Sequence, residues 1–85
     1  MSNQPEQTQM EALVLYLVKP LVSNPEEIVV TEVPGEDRAV VQVEVAASDV
    51  GRVIGRQGRV IQSLRTLLAL ASKSLNQPVS LELID

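Results

Sequence analysis

Met10, Leu13, Leu17 and Leu21, with Val14 and Val18 beside them, recur at the three-to-four spacing that collects side chains on one side of a helix. This spacing predicts a helix over residues 8–22. Pro20 lies inside the pattern and lacks the amide that an i to i−4 hydrogen bond needs, so it is expected to kink or end the helix near its last turn. Residues 23–27, Ser-Asn-Pro-Glu-Glu, form a turn-rich connection. Residues 28–33 are rich in β-branched side chains and predict a strand, closed by Pro34-Gly35, a pair suited to a tight turn. From 38 to 46 the period becomes two: Ala39, Val41, Val43 and Val45 share one face and Arg38, Gln42 and Glu44 the other, as in a half-buried antiparallel strand. A two-stranded ribbon with one apolar face is not stable alone in water, so helices must cover it.

Ser48-Asp49 predicts the next helix start, the serine as cap and the aspartate as complement to the positive end of the dipole. The helix is short, running through Val50 and Val53 to Gly55. A longer one begins near Gly58 or Arg59 and reaches about Leu75, with Ile61, Leu64, Leu68, Ala71 and Leu75 as its apolar line and Val60 and Leu67 widening it. Arg59, Gln62, Thr66 and Lys73 are left for solvent. Asn76-Gln77-Pro78 ends this helix, and residues 79–84 alternate again, with Val79, Leu81 and Leu83 against Ser80 and Glu82. The order is α-β-β-α-α-β, which predicts an α+β domain: a three-stranded sheet covered on one face by three helices. Residues 1–8 read as a disordered polar tail and 9–85 as the single domain.

Composition narrows the chemistry. The chain has no cysteine and no histidine, which removes disulfides, thiolate nucleophiles, catalytic triads and the usual zinc ligands. No cofactor and no enzymatic activity are expected, and Glu44 and Asp49 read as a solvated strand face and a helix cap. The start of the chain lacks the charged and apolar regions of a signal peptide, and its longest apolar run, residues 12–18, is too short to span a bilayer. The expected location is therefore the cytoplasm, without membrane attachment. Tyr16 is the only aromatic residue, so a base-stacking platform is unavailable. The net charge is −4, yet all eleven acidic residues lie at or before Asp49 or at Glu82 and Asp85. Arg52, Arg56, Arg59, Arg65 and Lys73 occupy an interval free of acids. Screening limits exposed charges to about 8 Å at physiological salt, so a ligand there responds to the local arginines more than to the sum.

Three of the four glycines, Gly51, Gly55 and Gly58, fall in that interval among Arg52, Arg56 and Arg59. Glycine is placed where the backbone must take a positive φ or approach another group closely. A short loop offering backbone N–H groups and positive charge together suits a phosphate. The spacing does not fit the dinucleotide-binding fingerprint, and the Gly-Lys-Ser/Thr end of a P-loop is missing. Gly51 and Gly55 form a G-x-x-x-G pair, but Arg52 and Arg56 exclude a membrane packing face. A purely structural turn between two helices is the other reading of the same glycines.

The longer string Ile54-Gly55-Arg56-Gln57-Gly58-Arg59-Val60-Ile61-Gln62-Ser63-Leu64 resembles the I-G-x-x-G-x-x-I-x-x-L signature of the KH RNA-binding domain. The element order is similar to the type II arrangement. With the stretches Tyr16-Leu17-Val18-Lys19-Pro20-Leu21-Val22 and Leu64-Arg65-Thr66-Leu67-Leu68, the chain resembles the small single-KH proteins of bacteria, the KhpA family. The resemblance implies a non-catalytic RNA-binding protein that clamps a short single-stranded RNA at the loop and acts in post-transcriptional regulation or as an RNA chaperone. The resemblance further implies that the chain pairs with itself or with a larger KH-containing protein. The implied site is Gly55, Arg56, Gln57 and Gly58 at the clamp, Arg52 and Arg59 flanking the RNA backbone, and Ile54 at an apolar groove for bases. Ile61 supports that groove while serving mainly the core. Arg65 and Lys73 are expected to lie too far along the helix to touch four nucleotides. Few phosphates would be neutralised, so affinity is expected to be weak, with a shallow salt dependence. A protein-interaction module on the same scaffold, with incidental RNA binding, is the alternative.

Overall fold

The computed structural model describes residues 7–84; most of the tail expected over residues 1–8 lies outside them. The first helix, α1 (Gln9–Val18), opens on a capping box: Thr8 Oγ1 accepts from the Glu11 amide at 3.0 Å, and the Thr8 amide donates to Glu11 Oε1 at 3.0 Å. It stops where the missing amide of Pro20 requires, and the chain continues through one 3₁₀ turn over Lys19–Leu21. A second 3₁₀ turn at Pro25–Glu27 leads into β1 (Val29–Val33), which pairs antiparallel with β2 (Ala39–Glu44), Val30 facing Val43 and Glu32 facing Val41.

From β2 the chain passes through α2 (Val50–Ile54) and α3 (Arg59–Leu75) before forming β3 (Val79–Ile84). This long crossover allows β3 to lie parallel to β2, Val41 facing Leu81 and Val43 facing Leu83. The sheet order is β1-β2-β3 and the sheet is mixed. The three-helix, three-stranded α+β architecture is the one that the hydrophobic pattern predicts.

The inward faces meet in one core: Met10, Val14 and Val18 from α1, Val41 and Val43 from β2, Val53 from α2, Ile61, Leu64 and Leu68 from α3, and Leu81 from β3. Thr31, Glu44 and Glu82 face solvent on the other side of the sheet, where Gln42 Nε2 donates to Glu82 Oε1 at 3.1 Å. Two residues of the predicted α3 line are not covered. Leu67 lies about 80° around the helix from the Leu64–Leu68 line, and Leu75 sits on the last turn, so both are exposed. Leu70 is 60% exposed and Tyr16, on α1, 77%. Among the described residues no helix is long and apolar enough to cross a membrane.

Candidate nucleic-acid interface

The turn between α2 and α3 is built by three departures from ordinary backbone geometry within four residues. Gly55 has φ 77° and ψ 171°, a region open essentially to glycine alone. Gln57 (φ 57°, ψ 24°) and Gly58 (φ 73°, ψ 15°) are then both left-handed. A Cβ on Gly55 would overlap the Val60 side chain and come within 2.9 Å of the Val60 amide, so this glycine also permits the loop to close onto α3. A Cβ on Gly58 would meet only Ile61 Cγ2 at 4.0 Å. Gly58 therefore answers a conformational need and Gly55 a conformational and a steric one. Gln57 holds its left-handed conformation as a non-glycine residue at a cost of roughly 1–2 kcal/mol.

Hydrogen bonding inside the loop decides which donors face outward. The Gly55 amide closes α2 onto the Gly51 carbonyl at 2.9 Å, the Gly58 amide donates to the Gly55 carbonyl at 3.1 Å, and the Arg59 amide donates to the Arg56 carbonyl. The amides at the very start of α3 are thus partly engaged. Those of Arg56 and Gln57 have no backbone acceptor among the described residues. The side chains of Arg56, Gln57 and Arg59 are exposed, and Arg59 Nη2 donates to Gln57 Oε1 at 3.0 Å.

The Ser48-Asp49 start departs from expectation. Ser48 is exposed inside a 3₁₀ turn over Ala47–Asp49, and neither residue caps a helix through its side chain. Asp49 is instead fully buried (0% exposed). Its Oδ1 accepts from the Ser23 amide at 3.0 Å and its Oδ2 from the Asn24 amide at 3.0 Å and Asn24 Nδ2 at 3.1 Å. Arg52 Nη1 completes the shell at 2.6 Å and also donates to Ser23 Oγ at 2.7 Å. The Ser23 amide is the main cause that draws the Asp49 carboxyl down to about 2; burial opposes it, and Arg52 and Asn24 reinforce it. The missed role follows from distant amides that no local pattern discloses.

The sequence-predicted residues therefore divide. Ile54, Gly55, Arg56, Gln57, Gly58 and Arg59 form one continuous corner. Arg52, on the same short helix, is tied by one guanidinium nitrogen to Asp49 and the α1–β1 connection, the rest of its side chain remaining in solvent. Beside the corner runs an open groove to which α2 contributes Ile54, α3 Ile61 and Arg65, and β3 Ser80, Leu81 and Glu82. Ile61 is both core (8% exposed) and groove wall. Arg65, which sequence reasoning set aside, lies in this groove; its i+4 spacing from Ile61 was the available signal. Lys73 does sit apart, near Asn76, Gln77 and Pro78 at the far end of α3.

Comparison with known proteins agrees with this architecture. The family model described as KhpA/KhpB, KH domain matches residues 11–83. The chain is 42% identical over 78 residues to RNA-binding protein KhpA of Treponema pallidum, covering 92% of this chain and 98% of that one. It is 40% identical over 76 residues to RNA-binding protein KhpA of Chlamydia trachomatis, covering 89% and 97%. Among solved structures, Aquifex aeolicus Era gives a TM-score of 0.59 at 20% identity, over 96% of this chain and 31% of that one, a likeness of fold alone. With the family model reaching from α1 into β3 and relatives matched over nearly their whole length, the chain belongs to the KhpA/KhpB KH-domain family.

Proposed function

We propose that this chain is a non-catalytic RNA-binding protein that clamps a short single-stranded segment at the Gly55–Gly58 loop. The observation that carries the reading is the loop itself: a turn that needs glycine at Gly55 presents Arg56, Gln57 and Arg59 to solvent at one end of an open groove that includes Ile54 and Ile61. In this reading the Arg56 side chain and the Gln57 amide reach phosphate oxygens, and Gly55 and Gly58 let the sugar-phosphate chain approach. Arg59 and the solvent-facing part of Arg52 flank its path, while Ile54 and Ile61 floor the groove for bases. The names of the matched relatives support RNA as the partner.

The protein acts in the cytoplasm, in post-transcriptional regulation or RNA chaperoning, as a homodimer or with a larger KH-containing partner. A small site gains effective affinity when two copies are joined, and the exposed Leu67 and Leu70 of α3 offer apolar surface for pairing. The test is the double variant R56D/Q57D, which puts aspartate at an exposed position and at a left-handed one that aspartate tolerates. Its circular dichroism and melting temperature are expected to match the parent while RNA cross-linking is lost; unchanged cross-linking refutes the clamp. The same exposed leucines favour a second reading, an interaction module in which RNA is incidental. Light scattering that finds a dimer, together with no RNA bound at any salt concentration, would select it.

A further inference from the structure

Arg65 has no part in the clamp, yet it lines the groove that starts there. Its side chain is exposed and makes no hydrogen bond or ion pair among the described residues. Ile61 and Arg65 are one turn apart on the same side of α3, which puts Arg65 about 6 Å farther from the loop along the helix axis. A nucleotide with its phosphate at the loop and its base over Ile54 and Ile61 therefore directs the outer edge of that base at Arg65. The facing wall comes from β3, where Leu81 turns inward while the Glu82 side chain lies on the outer face of the sheet, held by Gln42.

We propose that Arg65 is a specificity-determining residue that selects, in this groove, a base presenting two adjacent hydrogen-bond acceptors; the proposal rests on the RNA-clamping reading of the loop. The guanidinium offers parallel N–H donors in a rigid fork. Guanine meets that fork with O6 and N7, and cytosine with O2 and N3. Adenine and uracil alternate donors with acceptors along their edges and satisfy only one arm.

The experiment measures binding of single-stranded oligouridine carrying one central guanine, cytosine or adenine to the full chain, to R65Q, to R65K and to R56D/Q57D, across a range of salt. The parent is expected to favour the guanine or the cytosine strand about tenfold over oligouridine and the adenine strand. R65Q is expected to bind the guanine and cytosine strands no better than oligouridine, and R65K to lose the preference without changing the salt dependence. A preference that survives in R65Q overturns the proposal. So does a uniform loss of affinity in R65Q with a salt slope smaller by about one, which marks a phosphate contact. The loop variant separates the two readings: if R56D/Q57D still binds RNA the clamp reading falls, whereas loss of preference confined to the Arg65 variants is read independently of it.

Discussion

A Cβ at Gly51 would meet nothing within 4 Å, whereas one at Gly55 would collide with Val60. Gly51 lies inside α2 with helical geometry, so Gly51→Ala is expected to raise stability by about 0.5–1 kcal/mol, chiefly by restricting the unfolded chain. Gly55→Ala forces alanine into a conformation essentially reserved for glycine and pushes Val60 aside, at a cost of about 3 kcal/mol. Urea unfolding of the two variants checks both signs. The sequence places Gly51 in the short helix and Gly55 at its end, but it does not show the steric part of the difference. That part depends on the turn of the loop that brings Val60 beneath Gly55.

The long helix α3 shows the same division at the level of an element. Its period places Ile61, Leu64 and Leu68 on one line, and the structure buries them. The spacing also draws in Leu67 and Leu75, because periodicity gives direction around a helix but not where the neighbouring layer ends. Leu68 is 2% exposed and Leu70 60%. Leu68→Ala is therefore expected to destabilise the fold by about 2–5 kcal/mol, and Leu70→Ala to change monomer stability by no more than about 0.5 kcal/mol. Denaturant melts at concentrations low enough to exclude self-association distinguish the two. The groove was half legible in the same helix: Ile61 and Arg65 share a face by spacing, but the opposite wall comes from β3, whose parallel pairing with β2 leaves no local mark.

At the scale of the molecule, Asp49 joins segments that are far apart in the chain, holding the Ser23–Asn24 connection against the start of α2. Its carboxyl is depressed from 3.8 to about 2, so the charged form is favoured by folding. The linked stability is fully present above about pH 4 and is lost as the pH falls through the folded value near 2. Asp49→Asn is expected to be less stable than the parent at neutral pH, because an amide cannot accept all of these donors. The difference between the two proteins should be constant above about pH 4 and shrink toward pH 2. Urea midpoints measured along the pH series test this; a difference that stays constant down to pH 2 would contradict it. The same pairing revises the charge map, since Arg52 is matched by Asp49 and the strip of cations starts in effect at Arg56.

By itself the sequence determined the α-β-β-α-α-β order, the apolar face of each element and the position of the Gly55–Gly58 turn. All of these rest on local causes: the period of apolar side chains, the missing amide of Pro20 and the conformational freedom of glycine. Tertiary structure decided the burial of Asp49, its hold on Arg52, the exposure of Leu67 and Leu75, and the entry of Arg65 into the groove. These depend on which distant amides, strands and helices come together, and that is settled only when the chain closes on itself and every buried polar group must find a partner.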